Sequence, residues 1–457
     1  MRLTVIGCGH LGATHAACMA ELGHDVLGVD TDPERVHLLN RGKAPFFEAE
    51  LDELLVRHTC SGKLRFTTSY AQAGSFGEVH FLTLGTPRAD RGNATDVSHL
   101  LSAVRQLSPH LRQPSLVVGR STVPVGTAAR MAGYLKRISS AGPETHLAWN
   151  PEFLRESTAI HDTLYPDRIV VGLDSEDAAV DEAMLRQVYR PILRKGAPFL
   201  TTDLATSELV KCAANAFLAT KISFINAMAE LCEAANADVY QLTEALAHDE
   251  RIGAGGMWPG LGFGGGCLPK DIHGFMAAAA SLGTGQSLAF LREVDAVNTR
   301  RRSRVVWLAR QRCGGNLDGK RIAIWGAAFK PMTDDVRDSP ALAVAHSLFR
   351  KGARVVVHDP MALDKARKSH PHLTFCEDLT ESTVEADLLL HLTDWPQYRR
   401  AAPEQLMPRV ARPYVIDARG ALDAGRWRRA GWTYDCLGRP PFPGQAVGPD
   451  GHLTRNR

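Results

Sequence analysis

The chain lacks any apolar run approaching the length of a bilayer span, so none of its 457 residues suggests a transmembrane helix. It also lacks an excess of one charge. Its 53 Lys and Arg oppose 50 Asp and Glu, a net +3, which makes no case for nucleic acid or a membrane surface as partner. The nine cysteines show no paired spacing and no CxxC. That argues against a disulfide or zinc framework and for a reduced cytoplasm. No metal-ligand spacing is met, so no metal is expected, and there is no solenoid-type repeat. No secretory leader is expected either, because Leu3-Thr4-Val5-Ile6 runs straight into a glycine motif and reads as a first strand.

What is present is too much chain for one core, and two or three domains are expected. Short β-branched runs at Leu3–Ile6, Asp25–Asp30, Val79–Leu84, Leu116–Gly119 and Ile169–Gly172 alternate with helical stretches. This is the pattern of a doubly wound parallel sheet. From Leu204 to Ala235 no proline or glycine interrupts a long helix, a plausible connector and subunit-packing surface. A second α/β block follows with strands at Arg321–Gly326, Arg354–Asp359, Asp387–Leu392 and Tyr414–Asp417. Its first turn, Gly326-Ala327-Ala328, lacks the glycine fingerprint and is a poor dinucleotide site. The fold expected is α/β, two Rossmann-like doubly wound domains joined by a long central helix.

The first strand ends in Gly7-Cys8-Gly9-His10-Leu11-Gly12. Gly7 makes the tight turn, Gly9 admits a pyrophosphate to the backbone, and Gly12 allows close helix–strand packing. The second strand ends at Asp30, eighteen residues past Gly12, where a carboxylate takes ribose hydroxyls and repels a 2′-phosphate. NAD is therefore expected as cofactor. Arg35 is placed to line the adenine end, or is simply a solvated helix-start arginine. Gly85-Thr86-Pro87 and Ser121-Thr122 follow strands at the carboxyl edge, where doubly wound folds bind ligands.

Three further groupings carry chemistry. Cys267 follows the glycines of Gly262-Phe263-Gly264-Gly265-Gly266 and precedes a helical stretch, with Lys270 three residues on. A helix dipole and a nearby cation are two reasons for a lowered thiol pKa; a buried inert cysteine is the bland alternative. Lys211 and Asn215 are four apart and share a helix face, where an ammonium and a carboxamide hold a developing oxyanion; an ordinary polar pair is the alternative. In Asn150-Pro151-Glu152-Phe153-Leu154-Arg155-Glu156, a helix entered after Pro151 would point Glu152 and Glu156 the same way, for acid–base work or as a surface pair.

Taken in order, these motifs resemble the UDP-glucose/GDP-mannose dehydrogenase family. The likeness runs through GCGHLG, LGTP at 84–87, STVPVG at 121–126, NPEFLRE at 150–156, LVKCAANAF at 209–217 and DERIG at 249–253. It continues in GFGGGCLPKD at 262–271, FKPMTDDVRDSP at 329–340 and DAR at 417–419. His161-Asp162-Thr163 and Pro166-Asp167-Arg168 look most like the bacterial UDP-glucose-oxidising members. Two positions depart. Ser157 stands where many of those members carry glycine, and Gly266 where serine is frequent. Both bear on the sugar nucleotide more than on the chemistry.

The resemblance implies an NAD-binding domain over 1–203, a central helical dimerisation region with the cysteine loop over 204–300, a sugar-nucleotide domain over 317–440, and a loose tail over 441–457. It implies oxidation of C6 of a nucleotide hexose from alcohol to acid with two NAD⁺ reduced, UDP-glucose being the leading substrate. Other nucleotide sugars (dTDP-glucose, GDP-mannose, UDP-N-acetylhexosamines) remain alternatives. Cys267 would form the thiohemiacetal and thioester, Lys211 and Asn215 would hold the oxygen, and Thr122, Asp271 or Glu152 would position the hydrolytic water. Glu156, Lys270 and Arg337 would stand near the cofactor. Glu152, Phe153, Leu154, Arg155, Trp258, Gly260, Gly262, Phe263, Gly264, Phe329, Lys330 and Arg419 would meet the sugar nucleotide. Arg251 would reach the neighbouring subunit of a homodimer. The rivals are a two-electron β-hydroxyacid dehydrogenase, which lacks the GFGGGC segment and a second α/β domain, and a nucleotide-binding module that has lost catalysis.

Overall fold

The computed structural model describes residues 1–89, 92–174 and 178–440; the expected tail at 441–457 lies outside the described residues. The chain forms two compact units. Among the described residues, one comprises 1–215 with 270–288 and the other 216–269 with 289–440.

The first unit carries strands β1 Arg2–Ile6, β2 Asp25–Val29, β3 Leu64–Thr67, β4 Val79–Leu82, β5 Ser115–Gly119, β6 Thr145–Trp149, β7 Ile169–Leu173 and β8 Phe199–Asp203. They lie side by side as β3-β2-β1-β4-β5-β6-β7-β8. The order reverses between β1 and β4, the switch point where such sheets bind dinucleotides. The central strands read as near-continuous apolar runs because helices cover both faces; Leu3, Val5, Phe81, Val117 and Val118 are fully buried. β3 and β8 escape sequence reading because they are short, polar edges; β8 is largely exposed. One pairing departs from the expected parallel sheet. β6 meets β7 antiparallel, Trp149 opposite Gly172. The connection from 150 to 168 therefore turns back at the carboxyl end of β6 and stays on the ligand-binding edge.

The second unit carries β9 Arg321–Trp325, β10 Arg354–His358, β11 Thr374–Phe375, β12 Leu388–His391, β13 Tyr414–Asp417 and β14 Thr433–Cys436. Their order is β11-β10-β9-β12-β13-β14, every pair parallel. Aromatics fill its core: Trp325 stacks on Tyr398 at 5.1 Å between ring centroids and meets the Trp427 edge at 6.0 Å. The two α/β sheets and the 32-residue helix Leu204–Ala235 give the architecture expected from sequence. At about 1.5 Å per residue that helix is roughly 48 Å long, beginning in one unit and ending in the other. A 23-residue helix, Phe290–Arg312, was not anticipated; its many arginines obscure the apolar stripe. Among the described residues no helix is long and apolar enough to cross a membrane.

Candidate active site

The glycine turn behaves as its spacing demands. Gly7 sits at φ +93°, and a Cβ there would lie 2.9 Å from Leu84. A Cβ on Gly12 would lie 1.9 Å from the Gly7 carbonyl oxygen, so the helix His10–Glu21 seats against the strand only because position 12 is bare. Gly9 and Gly85, by contrast, face open space. The turn thus has a packed side and an empty side where a pyrophosphate fits. Asp30 follows β2; its Oδ2 accepts from the Cys8 amide at 2.8 Å and its Oδ1 from the Asp32 amide at 3.0 Å. Arg35 lies against Asp30 rather than in free solvent. Its guanidinium spans both Asp30 oxygens at 3.0 Å. The loops after β4 and β5 are stitched together: Ser121 Oγ donates to the Leu84 carbonyl at 2.6 Å and Thr86 Oγ1 to the Thr122 carbonyl at 2.7 Å. Pro87 follows in the same irregular segment. These residues fit a bound dinucleotide.

Behind the next strand end, the NPEFLRE segment is not helical; the helix begins only at Ala159. The expected shared helical face of Glu152 and Glu156 is therefore absent. Ser157, at φ +74°, turns the chain in a left-handed conformation that bars a regular helix there. Asn150 is structural. Its Oδ1 accepts from Arg120 and from the Tyr189 hydroxyl, and its Nδ2 donates to the Val170 carbonyl at 2.7 Å. Arg155 is occupied by Asp162 in a two-pronged pair at 2.7 and 3.0 Å. Arg168 lies over the Phe153 ring at 4.0 Å, and Leu154 donates its amide to Glu152 Oε2 at 2.8 Å. Beneath this segment lies a cavity of about 110 Å³ walled by His15, Arg120, Asn150 and Tyr189. His15 is buried with both ring nitrogens lacking a protein partner, and burial holds its pKa well below the usual value, so the ring is neutral.

Lys211 and Asn215 do share a face, and both are buried. Lys211 Nζ pairs with Glu152 Oε1 at 3.1 Å. Asn215 Nδ2 donates to Asp271 Oδ2 at 2.6 Å, and Asp271 Oδ1 meets Lys270 Nζ at 2.7 Å. Segments far apart in sequence thus form three polar pairs within the first unit. One turn back on the same helix, buried Glu208 accepts from the amides of Gly126 and Ala128 at 2.7 and 2.6 Å. It holds the STVPVG turn to the helix that carries Lys211. A lone glutamate in an amphipathic run offers no sequence signal for that task.

In the second unit Cys267 is exposed, immediately before the helix Leu268–Ser281. The bland reading of a buried thiol is set aside for this residue. It describes Cys212 instead, whose thiol burial pushes up to about 12. Each glycine before Cys267 makes room for a neighbour. A Cβ would lie 2.3 Å from Asn298 Oδ1 at Gly262, 2.2 Å from the Asp338 carbonyl at Gly264, and 2.7 Å from the Phe329 ring at Gly265. At Gly266 it would lie 2.4 Å from the Arg337 guanidinium, so serine there would displace that side chain. Arg337 is paired with Asp335, and Lys330 lies over Phe329 at 5.8 Å.

The rest of the loop is pinned by residues that sequence reading missed. Asn226 accepts from the Gly260 amide at 2.9 Å, Arg301 donates to the Gly260 carbonyl at 3.1 Å, and Asn298 bonds both backbone groups of Phe263. Arg419 donates to the carbonyls of Leu392 and Gly262 at 2.7 and 3.2 Å, while its buried NH2 has no protein partner. That unmatched donor fits an anionic or hydroxyl-bearing ligand. Trp258 is exposed, and Arg251 is exposed and clasps Asp249 at 2.6 and 2.9 Å. In the second unit's own βα turn, buried Asp359 accepts from the amides of Ala327 and Ala328 at 2.7 and 2.9 Å. Among the described residues no cluster of three or more His, Cys, Asp or Glu is disposed to hold a metal.

A glycine turn at the switch point of one sheet, a second parallel sheet and a long joining helix define a two-domain, Rossmann-type dinucleotide-binding protein. More particularly, the chain belongs to the UDP-glucose/GDP-mannose dehydrogenase family: residues 1–193 match its NAD binding domain, 205–300 its central domain and 323–424 its UDP binding domain. It is 38% identical over 440 residues to the UDP-glucose 6-dehydrogenase of Rhizobium meliloti (strain 1021), covering 96% of this chain and all of that one. Among solved structures it is similar to a UDP-glucose dehydrogenase from Pyrobaculum islandicum, with 37% identity, TM-score 0.87, and 96% and 98% of the two chains covered. A UDP-D-ManNAc dehydrogenase from Pyrococcus horikoshii matches at 25% identity and TM-score 0.83 over 96% and 99% of the chains.

Proposed function

We propose that the chain oxidises C6 of a nucleotide hexose by four electrons, with UDP-glucose as substrate and UDP-glucuronate as product. The net change is alcohol plus water plus two NAD⁺ giving carboxylate, two NADH and three protons. The observation that carries this reading is Cys267, an exposed thiol at a helix start in a loop that Arg337, Phe329 and Asn298 pack around. The Gly7–Gly12 turn and Asp30 would hold NAD⁺, which when bound would supply the hydride acceptor. Lys211 and Asn215 hold the C6 oxygen as charge develops on it. Hydride loss leaves an aldehyde, and the Cys267 thiolate adds to its carbon as a thiohemiacetal. A second hydride loss leaves a thioester. Water then attacks the acyl carbon and the thiolate departs; Asp271, Thr122 and Glu152 are the groups proposed to take its proton. The thiol keeps the two-electron product from diffusing away between steps. Glu156, Lys270 and Arg337 are assigned to the cofactor, and the NPEFLR segment, the 258–264 loop, Phe329, Lys330 and Arg419 to the sugar nucleotide. The expected domain roles, 1–203, 204–300 and 317–440, follow this assignment.

A homodimer through the central helix belongs to the same proposal. Phe217, Phe224 and Leu231 recur every seven residues and are 66%, 50% and 60% exposed, an apolar stripe suited to a second copy. Arg251, which points to solvent, would serve the neighbouring subunit. The cytoplasm, where NAD⁺ and nucleotide sugars are made, is the proposed compartment. A panel of UDP-, dTDP- and GDP-sugars assayed with NAD⁺ tests the reading. Two NADH per UDP-glucose is expected; one would favour the β-hydroxyacid rival, and none with any sugar would favour a binding module.

A further inference from the structure

Glu48 lies outside every motif above, in the loop between the helices Pro33–Asn40 and Leu51–Cys60. Its carboxylate is wholly buried. Oε2 accepts from His10 Nε2 and from the Ser157 amide, each at 2.8 Å, and Oε1 accepts from the Ala159 amide at 2.9 Å. His10 belongs to the glycine turn, and its ring rests on Phe46 at 4.8 Å. Ser157 follows Glu156 directly, at the left-handed kink that ends the acidic segment. One buried charge therefore ties the cofactor turn to the segment bearing Glu152 and Glu156, across 38 residues on one side and 109 on the other. Capping the short helix at Ala159 needs no such residue, since a serine or threonine does that without burying a charge.

We propose that Glu48 is a positioning residue that locks the acidic segment to the cofactor turn, so that cofactor seating and the placement of Glu152 and Glu156 are coupled. The proposal rests on the function given above for the role of Glu156, but not for the cofactor site. Glu48→Gln keeps the shape yet sets an NH2 against a donor, either the Ala159 amide or the pair from His10 and Ser157. NADH affinity, read by fluorescence with no sugar nucleotide present, is expected to weaken about fivefold or more, and kcat to fall about tenfold with KM for the sugar nucleotide changed less than about twofold. In a Glu156→Gln background the same substitution should lower kcat by less than about twofold, because both changes release one linkage.

Should Glu48→Gln fail to fold, His10→Phe keeps the ring contact with Phe46 and both amide bonds while cutting the tie, and the same non-additivity with Glu156→Gln is expected. A lowered melting temperature with unchanged NADH affinity and additive effects would overturn the proposal and leave Glu48 a structural cap. If the wild type binds NADH but oxidises no nucleotide sugar, the functional reading fails. The double-mutant cycle read in NADH affinity then still decides the coupling.

Discussion

Asp417→Asn should destabilise the C-terminal sheet and flatten its acid response. Asp417 ends β13 and is fully buried. Its Oδ1 accepts from His391 Nδ1 at 2.8 Å and from the amides of Arg419 and Gly420 at 2.9 and 2.8 Å. Oδ2 accepts from the Leu422 amide and the Tyr434 hydroxyl, both at 2.8 Å. Burial opposes its charge, but His391 and the amides outweigh that and pull its carboxyl from 3.8 to about 2. A depressed carboxyl stabilises the fold above its unfolded value and loses that contribution as pH falls through the folded value. Asp417 should therefore contribute roughly 2 kcal/mol that disappears between about pH 4 and about pH 2.

Asparagine keeps one oxygen but turns an NH2 on the Leu422 amide if that oxygen stays at the Oδ1 side. An unsatisfied buried donor costs about 1–3 kcal/mol. With the lost charge the total is about 3–5 kcal/mol. Urea unfolding followed by tryptophan emission reads it directly, because Trp325, Trp395, Trp427 and Trp432 are all buried in this unit. The acid slope between about pH 4 and about pH 2 should be shallower in the variant, and KM for the sugar nucleotide should rise because Asp417 fixes the backbone of Arg419. Stability within about 1 kcal/mol of wild type, or an unchanged acid slope, would refute the reasoning.

Three other outcomes are expected. Cys267→Ser should bind the sugar nucleotide normally but stall after the first oxidation, giving at most about one NADH per site in a rapid phase; wild-type turnover would rule out the thioester. Lys211→Ala should lower kcat by about 100-fold or more with little change in sugar-nucleotide affinity, whereas an affinity loss alone would contradict the oxyanion role. Ser157→Gly should raise stability by about 0.5–1 kcal/mol, as relief of left-handed strain exceeds the added backbone entropy, while Ser157→Val should lower it; thermal unfolding of the pair checks both signs.

Local chemistry made much of this legible in advance. The Gly7–Gly12 turn, Asp30 at a strand end and the uninterrupted Leu204–Ala235 run are short-range patterns: bare positions where backbones touch, a carboxylate beside a turn, and no helix breaker for 32 residues. The helix assumed after Pro151 shows where such reasoning stops. Acid spacing alone suggested a shared face, but a left-handed Ser157 and a carboxylate 109 residues away hold the segment out of a helix.

By itself the sequence determined two wound sheets, a joining helix, a dinucleotide turn and a thiol at a helix start, because each depends on residues within a turn or two of one another. Tertiary structure alone decided which polar groups meet. Lys211 takes Glu152, Asn215 takes Asp271, Glu208 and Glu48 reach backbone amides on distant loops, and Arg419 keeps one buried donor unmatched. Buried charges must find partners wherever the folded chain brings donors near. That search runs through space, so residue spacing cannot state its result.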